Sequence, residues 1–243
     1  MSPEVAVTTE APDPPDNVGL RARNRAAIEA RLREVGRQHL AEHGAAALSL
    51  RAVARDMNIA PSALYRYVAN RDDLLTVLIV DAYDDLADAI ESAVARHQTA
   101  RTRFVAFSIA LRDWALRNRS EYALVYGSPV PGYRAPAEQT NPAGERPLMA
   151  LASIVADLDS VPVIRGTRPP VQTSAANALH ALLDDPAVPA IADPVVVARV
   201  ITVWNLLIGA ISSELFEQLG PVTDNPAAVF AGVADLCAAL IFG

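Results

Sequence analysis

Wherever this chain is regular, its apolar residues recur three and four positions apart, a pattern that predicts an all-α protein. From Asn24 to Glu42, Ile28, Leu32, Val35 and His39 form one stripe, and Gly44 ends the helix. Ser49 caps a second helix with Leu50, Val53 and Ala54 on one face. A tight turn follows over Met57–Ala60, where Asn58 tolerates left-handed backbone. Pro61 opens a third helix reaching Tyr67, with Ala63, Leu64 and Tyr67 inward and Ser62, Tyr65 and Arg66 outward. Two short helices around a turn, the second carrying polar and basic side chains, is how a protein sets a helix into the DNA major groove.

Asn70, with Asp73 three residues on, starts a long amphipathic helix over Asp72 to about His97. Leu74, Leu75, Leu78, Ala82, Leu86 and Ile90 make its apolar face; Asp72, Asp73, Asp81, Asp84, Asp85 and Asp88 are expected to form a solvated one. Arg101–Tyr126 reads as one or two helices holding a concentration of aromatic residues, five of the chain's thirteen. The prolines and glycines of Gly127–Pro147 predict a break without regular structure. Short helices follow over Leu148–Leu158 and Val171–Leu183. Asp193 and Asn225 each precede a proline, giving two helix starts, at Pro194 and Pro226. Both of these last helices are apolar nearly all round, which predicts burial on more than one side and a four-helix interface with a second copy. The apolar run Val200–Ile211 is expected to be too short to span a bilayer, and Asn205 interrupts it.

Composition sharpens this division. The net charge is −7, yet residues 21–71 carry ten arginines against four acids, a charge of +6, and the chain has no lysine. A basic head on an acidic body is the footprint of a DNA-binding module joined to a domain with another task. The expected organisation is a disordered Pro-rich tail over 1–20, a helix-turn-helix domain over 21–71 and a helical body over 72–243. In the tail only Arg21, Arg23 and Arg25 have the sign for a minor-groove arm. Cys237 is the single cysteine and is expected to be a buried small hydrophobe. The acidic N-terminus does not read as a signal peptide, so a cytoplasmic location is expected, without membrane partners.

The motif Ser49-x-x-x-Val53-Ala54, then Ile59-Ala60-x-x-Ala63-Leu64-Tyr65-x-Tyr67-Val68-x-x-Arg71-x-x-Leu74, resembles the N-terminal signature of the tetracycline-repressor (TetR) family of bacterial transcriptional regulators. The family pattern usually has Ser at Ala60, Gly at Ser62, His at Tyr67, Phe at Val68 and Lys at Arg71. Ala60 cannot cap its helix or bond a phosphate through its side chain; Tyr67 and Arg71 keep phosphate-binding chemistry. The segment Glu121–Tyr133 is similar to a stretch in actinobacterial members, and Trp204-x-x-Leu207-Ile208-Gly209 resembles the Trp-His-Gly signature of one C-terminal subgroup, with Ile208 replacing the His. The resemblance implies a homodimeric, ligand-responsive regulator, a repressor by expectation. It would bind a near-palindromic operator with recognition helices in successive major grooves, be released by a small effector, and dimerise through its two C-terminal helices.

By chemistry, Ser62, Ala63 and Arg66 are the candidates for base edges: Arg66 for guanine, Ala63 for a thymine methyl. Ser49, Arg51, Tyr65, Tyr67 and Arg71 are the candidates for phosphate. Phe104, Phe107, Trp114, Tyr122, Tyr126, His180 and Trp204 are candidates to line an effector pocket, which suggests a largely apolar effector; Arg112 and His180 are candidate polar anchors. His39 and His43 stand four apart without an evident acidic partner or third ligand, so no metal is expected. Nothing resembles a phosphate loop or a nucleophile elbow, so neither catalysis nor a cofactor is expected. The alternative to a regulator is a helical small-molecule-binding or protein-interaction module whose helix-turn-helix no longer binds DNA.

Overall fold

A computed structural model describes residues 15–156, 194–218, 220 and 223–243. The regular structure in these residues is helical throughout: α1 (Pro15–His43), a single 3-10 turn (Ala45–Ala47), α2 (Leu50–Asp56), α3 (Pro61–Leu64), α4 (Arg71–Val94), α5 (Ala100–Arg117), α6 (Arg119–Tyr126), α7 (Ala137–Gly144), α8 (Arg146–Ala156), α9 (Pro194–Leu215) and α10 (Pro226–Phe242). The expected helix over Val171–Leu183, with His180, lies outside the described residues, as do residues 1–14 of the expected tail.

The elements serve two apolar cores. Leu32 and Val35 of α1, Val53 and Ala54 of α2, Leu64 of α3 and Leu74, Leu75 and Leu78 of α4 fill the smaller one. The larger takes Leu86 and Ile90 of α4, Phe104, Phe107, Leu111 and Trp114 of α5, Tyr122 of α6, and apolar side chains of α8, α9 and α10. Helix α4 belongs to both, its first half to the head and its second to the body. Asn70 caps it: the Asp73 amide donates to Asn70 Oδ1 at 2.9 Å, and Asp73 Oδ2 accepts from the Ala69 amide at 2.9 Å. Gly36 lets α1 lie close, since a Cβ there would stand 3.0 Å from Leu78 Cδ2.

Three expectations are corrected. Helix α1 begins at Pro15, well before Asn24 and inside the expected tail; proline suits a first position, and the Ala/Arg-rich run after it favours helix, helped by Arg25–Glu29 and Arg31–Glu34 pairs. The stretch Gly127–Pro147 contains α7 and the start of α8: burial of Thr140 and Ala143 overrides Pro142 inside the helix. The acidic face of α4 is solvated as expected, with Asp72, Asp73, Asp85 and Asp88 exposed, and its carboxylates are also paired: Asp81 with Arg33 and Arg37, Asp84 and Asp88 with Arg146, Asp85 with the Trp114 indole. Helix α9, at 22 residues with a mean hydropathy of 1.9 over its most apolar stretch, is by length and composition long enough to cross a membrane. Its residues Val196, Val197, Val200, Val203, Leu207, Ile211 and Leu215 pack into the body core instead. Cys237 is buried there too, and desolvation pushes its thiol up to about 11.

Candidate nucleic-acid interface and effector cluster

The turn between α2 and α3 is built as its residues require. Asn58 takes φ 60, and the Ile59 amide donates to Ala54 O at 3.0 Å, closing α2. Pro61 stands at the start of α3. The recognition helix is shorter than the Pro61–Tyr67 expected: after Leu64 the amides of Arg66 and Tyr67 reach back only three residues, to Ala63 O and Leu64 O, tightening the last turn.

On this frame Ser49, Arg51, Ser62, Tyr65 and Arg66 are exposed, Tyr65 by 50%, while Ala63 and Tyr67 are half-buried. Ser49 occupies the cap position of α2, but its hydroxyl makes no capping bond. The Arg25 guanidinium carbon lies 5.8 Å from the Tyr67 ring centre, which brings the end of the recognition segment beside an arginine of α1. Arg71 is placed differently from a free phosphate contact: its Nη2 donates to the carbonyls of Ala45 at 2.7 Å and Ala46 at 3.3 Å, and its Nε is buried without a partner. It pins the 3-10 turn to the start of α4.

His39 is not without an acidic partner. Its Nε2 lies 2.7 Å from Asp56 Oδ2 at the end of α2, and Arg55 Nε donates to the other oxygen at 3.1 Å. The hydrogen bond from His39, then that from Arg55, holds the Asp56 carboxyl below its ordinary range. The two histidine rings meet edge-on at 5.6 Å, with His39 buried and His43 exposed.

The body brings together some of the expected effector residues. Phe107 lies 6.5 Å from Trp204, Trp204 6.0 Å from Tyr126, and Tyr126 5.2 Å from Tyr122, ring centre to ring centre. The Tyr122 hydroxyl donates to Ile208 O at 3.0 Å and lies 2.9 Å from Ser212 Oγ. The Tyr126 hydroxyl is buried with no partner, and burial raises its pKa well above the ordinary 10.0. Phe104 turns away, meeting Phe242 at 5.8 Å, and Trp114 donates from Nε1 to Asp85 Oδ2 at 2.7 Å on the side facing the head. Arg112, offered as an anchor, is engaged by both oxygens of Glu214. Sequence reasoning missed Tyr83, 5.9 Å from Tyr126, and Phe216, 6.1 Å from Tyr122. Tyr83 follows Ala82 on the apolar side of α4, and that phase was its one available signal.

Residues 32–78 match the profile of bacterial regulatory proteins of the tetR family, and residues 104–236 match that of a tetracyclin repressor-like C-terminal domain. The chain is 38% identical over 229 residues to the HTH-type transcriptional regulators Rv1816 of Mycobacterium tuberculosis and Mb1846 of Mycobacterium bovis, covering 92% of this chain and 96% of each relative. Among solved structures, the regulatory protein SCO4313 is 29% identical with a TM-score of 0.71, over 89% of this chain and 97% of that one. The transcriptional regulator FadR of Bacillus subtilis, crystallised with stearoyl-CoA, shares the fold at 11% identity and a TM-score of 0.61, over 87% of this chain and 98% of its own.

Proposed function

This chain belongs to the TetR family of bacterial transcriptional regulators, and from that membership we propose that it works in the cytoplasm as a homodimeric repressor released from a near-palindromic operator by a small, largely apolar effector. The family gives it a DNA-binding helix-turn-helix and a C-terminal ligand-binding domain. The observation that carries the DNA assignment is the outward face of the recognition segment, where Ser62, Tyr65 and Arg66 stand exposed on a head of charge +6. Arg66 reads a guanine, Ser62 and Ala63 sit against base edges, and Ser49, Arg51, Tyr65 and Tyr67 fix the register on phosphates. Arg71 holds the Ala45 and Ala46 carbonyls through Nη2 and keeps Nε buried, so it reaches a phosphate only through Nη1, which stands 3.5 Å from Asp72 Oδ1.

Dimerisation uses α9 and α10. Leu206, Val229 and Leu236 are exposed on these helices, and Gly209 and Gly232 have nothing within 4 Å of where a Cβ would stand. A second copy can approach closely over such a surface, placing two recognition segments about 34–36 Å apart. The effector sits at the cluster of Phe107, Tyr122, Tyr126 and Trp204, without Phe104 and Trp114, which face elsewhere, and acts by favouring the state that does not fit the operator.

The test is fluorescence anisotropy on duplex DNA from upstream of the protein's own gene, titrated at several salt concentrations. A regulator binds it well above random duplex, with log affinity falling linearly in log salt. The second reading, a helical module that no longer binds DNA, draws on the uncapped Ala60 and the inward Arg71; absent or salt-independent affinity selects it.

A further inference from the structure

Leu124 and Tyr126 stand two residues apart on α6 and pack on different cores, Leu124 on the head and Tyr126 on the body. The chain then leaves α6 at Gly127, whose amide donates to Ala123 O at 3.0 Å, and a Cβ at Gly127 would lie 2.3 Å from that same oxygen. Only glycine permits this exit. The following residues return to the head: Val130 and Tyr133 pack on its core, the Tyr133 amide donates to Val130 O at 3.1 Å, and the Tyr133 hydroxyl lies 2.9 Å from Thr76 Oγ1. Thr76 is buried on the head half of α4 and also donates to Asp72 O, in the first turn of that helix.

The two ends of this segment contrast. At the head end the phenol is bonded. At the body end the Tyr126 hydroxyl is buried within the ring of Tyr83, Tyr122 and Trp204 and is the one buried side-chain hydroxyl without a partner among the described residues. A buried donor left unmade is costly, so a molecule bringing an acceptor to it gains a bond that water cannot compete for.

We propose that residues 126–133 form a strap coupling the aromatic cluster to the DNA-binding head: an apolar or aromatic ligand carrying a hydrogen-bond acceptor engages the Tyr126 hydroxyl, and the shift of Tyr126 is carried through Gly127 to Tyr133 and Thr76. The strap rests on the ligand-responsive reading above and gives it a route. Coupling is reciprocal, so freeing the head end must be felt at the body end without any ligand.

That consequence is measured by hydrogen exchange on the full chain, comparing wild type with Tyr133→Phe and Thr76→Val, each first shown by thermal melting to be folded. Peptides covering α6 should exchange roughly tenfold faster in both variants, as local opening extends from the strap into the helix, while peptides of α10 stay unchanged. Gly127→Ala, which forces the strap out by a different route, should give the same pattern. Faster exchange confined to residues 128–136 would show two independent ends and overturn the strap. On the upstream duplex, Tyr133→Phe should also change affinity several-fold at constant salt slope; equal affinity, with exchange altered, overturns the link to the head. If wild type binds no duplex at all, the regulator reading fails, and exchange alone still decides whether the two ends are joined.

Discussion

Arg112 grips Glu214 with two parallel hydrogen bonds, Nε to Oε2 at 2.8 Å and Nη2 to Oε1 at 2.6 Å, joining α5 to the last turn of α9. The Phe230 ring centre lies 5.6 Å from the guanidinium carbon, so α10 closes over the pair, and the two side chains keep only 16% and 15% of their surface exposed. The cation that sequence reasoning offered to an effector is therefore spent on holding three helices together. Removing one partner leaves the other charged in a nearly dry site. Glu214→Gln or Arg112→Met should each cost about 3 kcal/mol, and the double variant Arg112→Met/Glu214→Leu should recover most of it. Urea unfolding of the four proteins checks this; single losses that simply add in the double variant would refute the pairing.

The DNA assignment separates by salt dependence. Arg51→Ala should weaken binding equally on operator and random duplex and lower the slope of log affinity against log salt by about 0.9. Arg66→Ala should instead cost about 1–3 kcal/mol on the operator and relax discrimination at one base pair. Competition titrations against single-base operator variants distinguish the two. Discrimination left unchanged in both variants would show that Arg66, like Arg51, only neutralises phosphate.

The head was legible because its signals are local. A left-handed Asn58, a proline at the first position of α3 and the Asn70–Asp73 cap each act within a few residues of the backbone they shape. What the sequence hid are contacts made across long separations. Arg112 reaches Glu214 over 102 residues, Tyr133 meets Thr76 over 57, and His39 finds Asp56 over 17. Helix α7 was missed for a related reason: prolines and glycines argue against it locally, and only packing against α4 decides for it. Of the seven aromatic and histidine residues read as one pocket, Phe107, Tyr122, Tyr126 and Trp204 share a cluster, whereas Phe104 and Trp114 face elsewhere; helical phase alone does not say which neighbour a face meets.

The His39–Asp56 contact gives the head a defined acid response. The hydrogen bond from His39, with that from Arg55, keeps the Asp56 carboxyl below its ordinary 3.8. A carboxyl depressed in the folded state contributes stability above the unfolded value, and that contribution is lost as pH falls through the lower folded midpoint. In His39→Phe the Asp56 midpoint should rise most of the way back toward 3.8, Arg55 retaining a share. Carboxyl NMR titration reads it directly. A midpoint unmoved by the substitution would assign the depression to Arg55 alone.

Glu217 ends α9 with φ 52, a left-handed backbone, while the Gln218 amide donates to Ser213 O at 3.1 Å. That is the geometry of a helix stop usually filled by glycine. A non-glycine residue there carries steric cost from its Cβ, roughly 1–2 kcal/mol, part of which glycine would return as unfolded-state entropy. Glu217→Gly should therefore raise stability by about 0.5–1 kcal/mol, seen as a higher melting temperature. A lower melting temperature would mean that the Glu217 side chain makes a contact worth more than the strain.

Leu236 is the most exposed large apolar residue among those described, at 67%, and it lies on α10 alongside exposed Val229 and the open Gly232. Glycine in a helix interior costs about 1 kcal/mol against alanine, and nothing within the chain approaches Gly232 to require it. A second α10 crossing there would make use of both the missing Cβ and the protruding leucine. Because a two-fold interface meets itself, one substitution is counted twice across it. Leu236→Arg would bring two arginines together at an apolar crossing, whereas on a monomer the same change would be a harmless surface substitution. Sedimentation equilibrium should therefore shift from dimer to monomer in Leu236→Arg with helicity and melting of the isolated chain retained, and operator affinity should fall steeply, since a single recognition segment buries too little surface to be specific. Gly232→Leu should act in the same direction by filling the crossing. A variant that stays dimeric would move the interface off this face of α10.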